Sequence, residues 1–170
     1  IVLAFDAVAR AAAARPDRLP ALIRALHAAT GMPMGIVAGQ GWESEERVDV
    51  GEYHRAKTGA LFVGATTAGA VAAGQSADAW RAVGERLGEA YQVADDLQDV
   101  LGRREEVGKP VGRDASLDRP NAAHELGVEG AARRLKGLLA DVLDAVPPCP
   151  GADALRAHIA AQSSRFVPEA

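Results

Sequence analysis

Disulfides have no place in this chain. Cys149, in "PPCPG", is the one cysteine among 170 residues, so an internal disulfide framework is excluded and a reducing compartment fits. Its surroundings read as a loop that takes a small residue, not as the pocket of a nucleophile. Aromatics make up only 4%, which leaves little material for stacking bases. With a net charge of −4 and a pI near 5.6, this argues against a nucleic-acid binder. No apolar run reaches the roughly 18–20 residues of a membrane span. The opening "IVLAFDAVARAAAA" has no basic stretch ahead of it and contains Asp6, so it does not read as a secretory leader. Lysine is scarce as well: Lys57, Lys109 and Lys136 stand against sixteen arginines. Such a bias is compositional, yet it makes the position of each lysine more informative. GxSxG, Walker A and HExxH are all missing, and "GMPMGIVAGQ" is glycine-rich but follows no strand pattern, as a dinucleotide-binding turn would.

What the chain does hold is helical pattern from end to end. It is 48% hydrophobic and 25% charged, enough to bury a core. Apolar and small residues recur every three or four positions with no sustained alternation. The spacing predicts an all-α bundle in one domain, residues 1–170. A first helix is expected over 1–15, stopping before Pro16. A second begins at Pro20, a first-turn proline, and runs through "ALIRALHAATGMPMGIVAGQ" with a break at Gly31 and Pro33. A polar connection, "GWESEERVDVG", leads to a third helix over 51–73, closed by Gly74. The second half of that helix, "GALFVGATTAGAVAAG", is dominated by small residues, which lets another helix approach closely and marks it as central. A fourth helix follows Ser76, a fitting N-cap, and reaches about Leu101. Residues 102–120 read as a loop, followed by a short helix in "NAAHELG" and longer ones over 128–145 and 151–163. The chain lacks an initiator methionine and opens in mid-pattern, so earlier helices are expected ahead of Ile1.

The stretch "YQVADDLQDVLGRREEVGKPVGRD" concentrates the chemistry. At about 100° per residue, with Asp95 at zero, Asp99 falls at about 40°, Gln92 at about 60° and Asp96 at about 100°, the margin of that face. Carboxylates one turn apart repel each other, and the C-terminal end of a helix disfavours negative charge. A divalent cation relieves both penalties; oxygen donors of this kind suit Mg²⁺, which keeps several waters and shares its shell with substrate phosphates. A solvated acidic helix end is the plainer reading of DDxxD alone, but the apolar residues of "EAYQVADDLQDVLG" argue for a packed helix. Lys109, between Gly108 and Pro110, is either a solvated loop charge or a cation reaching a phosphate. In "YHRAKTGAL", Lys57 and Thr58 sit where a helix turns into buried packing. Lys57 can simply snorkel, while the adjacent hydroxyl favours a phosphate contact. His54 reads as structural or exposed, since no His–carboxylate set at zinc spacing accompanies it.

Taken together, "GIVAGQ", "YHRAKTGAL", "YQVADDLQDVLG", "EEVGKPVGRD" and "RPNAAHELG" resemble, in order and over nearly the whole chain, the later part of a trans-isoprenyl diphosphate synthase. The likeness is greatest to the geranylgeranyl diphosphate synthases of bacterial carotenoid and bacteriochlorophyll pathways. It implies an isoprenoid-synthase-type helical bundle around a central cavity, in a cytoplasmic homodimer. It further implies an Mg²⁺-dependent prenyltransferase that joins an allylic diphosphate to isopentenyl diphosphate, with geranylgeranyl diphosphate as the expected product. By the same resemblance "DDLQD" matches the second of two aspartate-rich motifs. Asp95 is then the foremost metal ligand, supported by Asp96 and Asp99 directly or through water. Lys57, Thr58, Gln92 and Lys109 match positions contacting the allylic diphosphate, and Gln40 faces the same region. Lys57 and Asp95 are the residues expected to carry catalysis. The family's first aspartate-rich motif has no counterpart in these residues, so half of an active site is expected here. A truncated or non-catalytic subunit that pairs with a full-length synthase is the alternative. A terpene cyclase-like enzyme is disfavoured by "KTGAL" and "GKPVGRD", and a helical interaction module is the plainest reading.

Overall fold

Eight α-helices make up the regular structure of the described residues, 1–101 and 121–163 of a computed structural model. They are α1 (Val2–Ala11), α2 (Leu19–Thr30), α3 (Ile36–Trp42), α4 (Val50–His54), α5 (Ala60–Ala73), α6 (Asp78–Leu101), α7 (Ala122–Ala145) and α8 (Ala152–Ser163). The chain divides into two compact units, Ile1–Gly88 and Glu89–Ala170, with the division falling inside α6.

In the first unit the expected opening helix is realised as α1 followed by a 3₁₀ turn, Ala12–Ala14, and a second 3₁₀ turn, Pro16–Arg18. Pro16 cannot extend an α-helical ladder, and tightening the last turn to 3₁₀ satisfies carbonyls that would otherwise be left over. Pro20 lies in the first turn of α2, and the break falls between Thr30 and Ile36, as the glycines and Pro33 predict. Helix α5 is the centre of this unit. Its Gly64 faces α2 so closely that a Cβ there would lie 2.4 Å from the Cβ of Ala29. On another side, a Cβ on Gly84 of α6 would come within 2.5 Å of Val63 Cα. Small residues are thus what allow both neighbours to reach the α5 backbone. The helix closes in a Schellman motif: Gly74, at φ 78°, donates to Val71 O and Gln75 to Ala70 O. Helix α6 opens at Asp78, slightly beyond the position that Ser76 suggests.

The second unit packs α6 against α7. Ala90, Val93, Ala94 and Leu97 recur at three- and four-residue steps, and they cluster with Ala123, Ala131 and Leu135 of α7. The two helices expected over "NAAHELG" and 128–145 are both present within α7 and meet in a kink at Gly127, whose φ of 69° and ψ of 162° are not helical. Glycine is the residue that reaches such a conformation without strain. Arg156 of α8 donates to Leu143 O at 3.1 Å and to Val146 O at 2.9 Å, satisfying carbonyls at the end of α7.

Candidate functional site

The first unit contributes a basic turn. The third helix of the sequence pattern is not continuous: between α4 and α5 the residues Arg55–Gly59 form a π-helical turn. Lys57 and Thr58 sit in it. Turns of this kind insert one residue into the ladder and re-aim the side chains around them, and they recur at functional positions. The α4 entry is set by Asp49, whose Oδ1 accepts from the Glu52 amide at 2.7 Å. The π turn is also held from α3. A Cβ on Gly39 would lie 2.6 Å from the Lys57 amide nitrogen and 2.7 Å from its Cα. The glycine of "GQ" is therefore what lets α3 lie on the turn, with Gln40 as the next residue.

Lys57 is not a stray charge. Its Nζ donates to Glu43 Oε1 and, at 2.7 Å, to Tyr53 Oη. Tyr53 in turn donates to the same Glu43 oxygen at 2.7 Å. The ammonium also lies 5.1 Å from the centre of the Tyr53 ring, within cation–π range. Partial burial pulls the Lys57 pKa down, but the hydrogen bonds and charges of Glu43 and Tyr53 outweigh it, and the pKa ends above the ordinary lysine value. Lys57 thus stays protonated at any physiological pH. Sequence reading missed Glu43 and Tyr53. The second was within reach, because Tyr53 and Lys57 are four apart and share a helix face; the first was not, because "GWESEER" carries no periodicity. The His54 ring lies beside Tyr53, tilted at 46° with 5.4 Å between ring centres.

Gln40 is exposed at the rim of an open apolar groove of about 680 Å³ in the same unit, lined by Leu26, Ile36, Val37 and Leu61 among others. Thr58 is half-buried in the π turn.

The second unit contributes an acidic face, where the wheel geometry separates the three aspartates. Asp96, on the margin next to the apolar stripe, turns toward α7. Its Oδ2 accepts the Ala122 amide at 2.8 Å and its Oδ1 accepts Gln92 Nε2 at 2.9 Å. Asn121, buried beside it, donates to Asp96 O at 3.4 Å and caps α7 by accepting from the Ala123 and His124 amides. Asp96 is itself buried. Its charge, disfavoured at the end of α6, lies against the positive N-terminal end of α7, which compensates it. Asp95 is half-buried and Asp99 is buried.

Asp95 and Asp99 present carboxylate oxygens one helical turn apart, donors of the kind that Mg²⁺ takes one or two of, together with waters and substrate phosphates. Among the described residues no group of three His, Cys, Asp or Glu side chains is placed to hold a metal ion by itself. Of the expected residues, Gln92 and Asp96 are brought together on α6, and Gln40 and Lys57 lie on neighbouring elements of the first unit. Lys109 lies outside the described residues. Asn121 and Gly39 were not singled out from sequence, although an asparagine just before a helical run is the usual N-cap signal.

Residues 1–146 match the family model described as polyprenyl synthetase. The chain is 52% identical over 99% of its length to a geranylgeranyl diphosphate synthase of Cereibacter sphaeroides, covering 58% of that protein. It is 47% identical over 89% of its length to the geranylgeranyl diphosphate synthase of Rhodobacter capsulatus, covering 52% of it. The chain thus spans a little over half the length of these relatives. A crystal structure of geranylgeranyl pyrophosphate synthetase from Pyrococcus horikoshii shares the fold, with a TM-score of 0.64 over 91% of this chain and 60% of that one, at 19% identity. No helix among the described residues is long and apolar enough to cross a membrane. The motif order, the all-helical architecture and the family match agree, and the chain belongs to the polyprenyl synthetase family.

Proposed function

We propose that the chain is the later part of a catalytic domain that condenses an allylic diphosphate with isopentenyl diphosphate. Geranylgeranyl diphosphate is the product we assign, and the protein works in the cytoplasm as a homodimer. The observation that carries this reading is the 52% identity, across 99% of the chain, to a protein named as a geranylgeranyl diphosphate synthase. In the reaction the allylic C–O bond breaks with its electron pair leaving on the diphosphate. The double bond of isopentenyl diphosphate attacks the resulting cation, and a proton is then lost. No side-chain nucleophile is needed, in keeping with the missing triad and zincin motifs. Lys57, with Thr58 beside it, binds the departing diphosphate as a permanent cation. By resemblance Gln40 is assigned to diphosphate binding, as is Gln92, which keeps a second N–H beyond the one given to Asp96. Lys109 belongs to the same set by resemblance. Asp95 and Asp99 would hold the metal, and Asp96 serves chiefly as the brace for α7. Bound there, Mg²⁺ supplies neutralisation of the leaving diphosphate. The apolar groove offers a surface for a hydrocarbon chain.

The test is Mg²⁺-dependent formation of a twenty-carbon diphosphate by the protein carrying this sequence. Lys57→Ala and Asp95→Asn are expected to lower kcat without unfolding it, and an unchanged kcat in both variants overturns the assignment. A subunit that pairs with a full-length synthase is the second reading, favoured by the single DDxxD in these residues. It requires that activity appear only when the partner chain is added.

A further inference from the structure

We propose that Glu43 is a resident counter-anion for Lys57, which a ligand's phosphate must displace, and that it sets how tightly the basic turn holds pyrophosphate. The inference rests on the diphosphate reading of Lys57. Its own basis is the arrangement around that ammonium. A lysine has three N–H donors, and two of them are directed to Glu43 and Tyr53. Glu43 Oε1 also accepts from Tyr53, so one carboxylate oxygen anchors both side chains. The side chains of Lys57 and Glu43 are 32% and 31% exposed. That is open enough for a solvated anion to reach the ammonium, and closed enough for the pair to persist without one.

A phosphate approaching Lys57 meets the third donor and, next to it, the negative charge of Glu43. Like charges that close disfavour each other, so bound phosphate and a seated Glu43 are mutually exclusive or mutually weakened. Glu43 lies in the turn directly after α3, ahead of the irregular stretch to Asp49. Its departure gives up the hydrogen bonds from Lys57 and Tyr53, a cost that the phosphate's attraction to the ammonium must exceed. Tyr53, buried and fixed on α4, keeps the ammonium in place meanwhile. The consequence for turnover is directional. Lys57 holds the pyrophosphate that bond cleavage releases, and the return of Glu43 speeds its departure.

The experiment is titration of inorganic pyrophosphate, with Mg²⁺ present, into the parent, Glu43→Gln, Glu43→Ala and Lys57→Ala, each checked by thermal melt. Glu43→Gln is expected to bind roughly two- to fivefold tighter than the parent, the scale of one partly exposed charge pair. Glu43→Ala is expected to move the same way, although both variants lose an ion pair and neither gains stability. A purely structural Glu43 would lower stability and leave affinity unchanged or weaker, and that result in both variants overturns the proposal. Should Lys57→Ala bind pyrophosphate as well as the parent does, the diphosphate reading fails and takes this inference with it. Weakening by Lys57→Ala without tightening by Glu43→Gln sinks the counter-anion alone.

Discussion

The basic turn of the first unit and the acidic face of the second both place ionisable groups on partly buried helix, but they are stabilised over different distances along the chain. Lys57 is settled by Glu43 and Tyr53, residues fourteen and four positions away. Asp96 is settled by the start of a helix twenty-six positions on. The basic turn is therefore a local construction, held by a π turn, a glycine contact and one carboxylate. The acidic face depends on α7 being docked. It also distinguishes its members: both Asp96 oxygens accept hydrogen bonds, from the Ala122 amide and from Gln92, whereas Asp95 and Asp99 fall on the opposite side of the helical wheel from the Ala90, Val93, Ala94 and Leu97 stripe. On the proposed reading, Asp96 is the brace and Asp95 and Asp99 are the metal donors.

That division can be broken experimentally. Asp95→Asn is expected to lower kcat of the protein carrying this sequence about a hundredfold or more while leaving its melting curve nearly unchanged; a large loss of stability with kcat intact would reverse the roles. Asp96→Ala leaves the Ala122 amide and the Gln92 amide without their acceptor, and is expected to cost about 2–3 kcal/mol in denaturant unfolding. Asp96→Asn should recover only part of that, because both Asp96 oxygens accept and an amide presents one acceptor. If Asp96→Ala instead abolishes Mg²⁺ dependence at full stability, the brace assignment is wrong. On the basic side, Gly39→Ala drives a methyl into the Lys57 backbone and is expected to cost about 1–3 kcal/mol, with pyrophosphate affinity falling alongside. The smallest effect concerns pH. The folded-state pKa of Lys57 is raised, so its pairing stabilises the fold fully below the ordinary lysine value of 10.5 and is lost as pH rises through the raised value. The stability difference between the parent and Lys57→Met should be flat from neutral pH to about pH 10 and shrink above it. A difference that shrinks below pH 9 contradicts the ion pair.

Much of this architecture was legible beforehand, and the gaps have physical causes. Helix stops announce themselves through backbone chemistry: Pro16, the Gly31–Pro33 break and Gly74 all act where the pattern puts them. The small-residue run of α5 correctly marks a central helix, because close approach needs missing side chains. The π turn at Arg55–Gly59 was not legible, since one inserted residue hardly disturbs an apolar period that is already mostly alanine and glycine. Gly127 was read as a boundary between two helices, and its non-helical φ and ψ place a kink between them at that residue. Of the candidate site, the residues proposed to bind diphosphate came from the family resemblance; Glu43 did not, because it acts through a tertiary contact, and Asn121 offered only its local cap signal. The wheel already set Asp96 at the margin of its face, but its partners, the Ala122 amide above all, follow from the position of α7.

The Asp96–Ala122 hydrogen bond has one more consequence, for how this chain can vary. It ties α6 to the first residue of α7, so the register of one helix on the other is set by a contact between the helices themselves. A substitution that moves this carboxylate one turn along α6 would carry the start of α7 with it or leave the Ala122 amide without its acceptor.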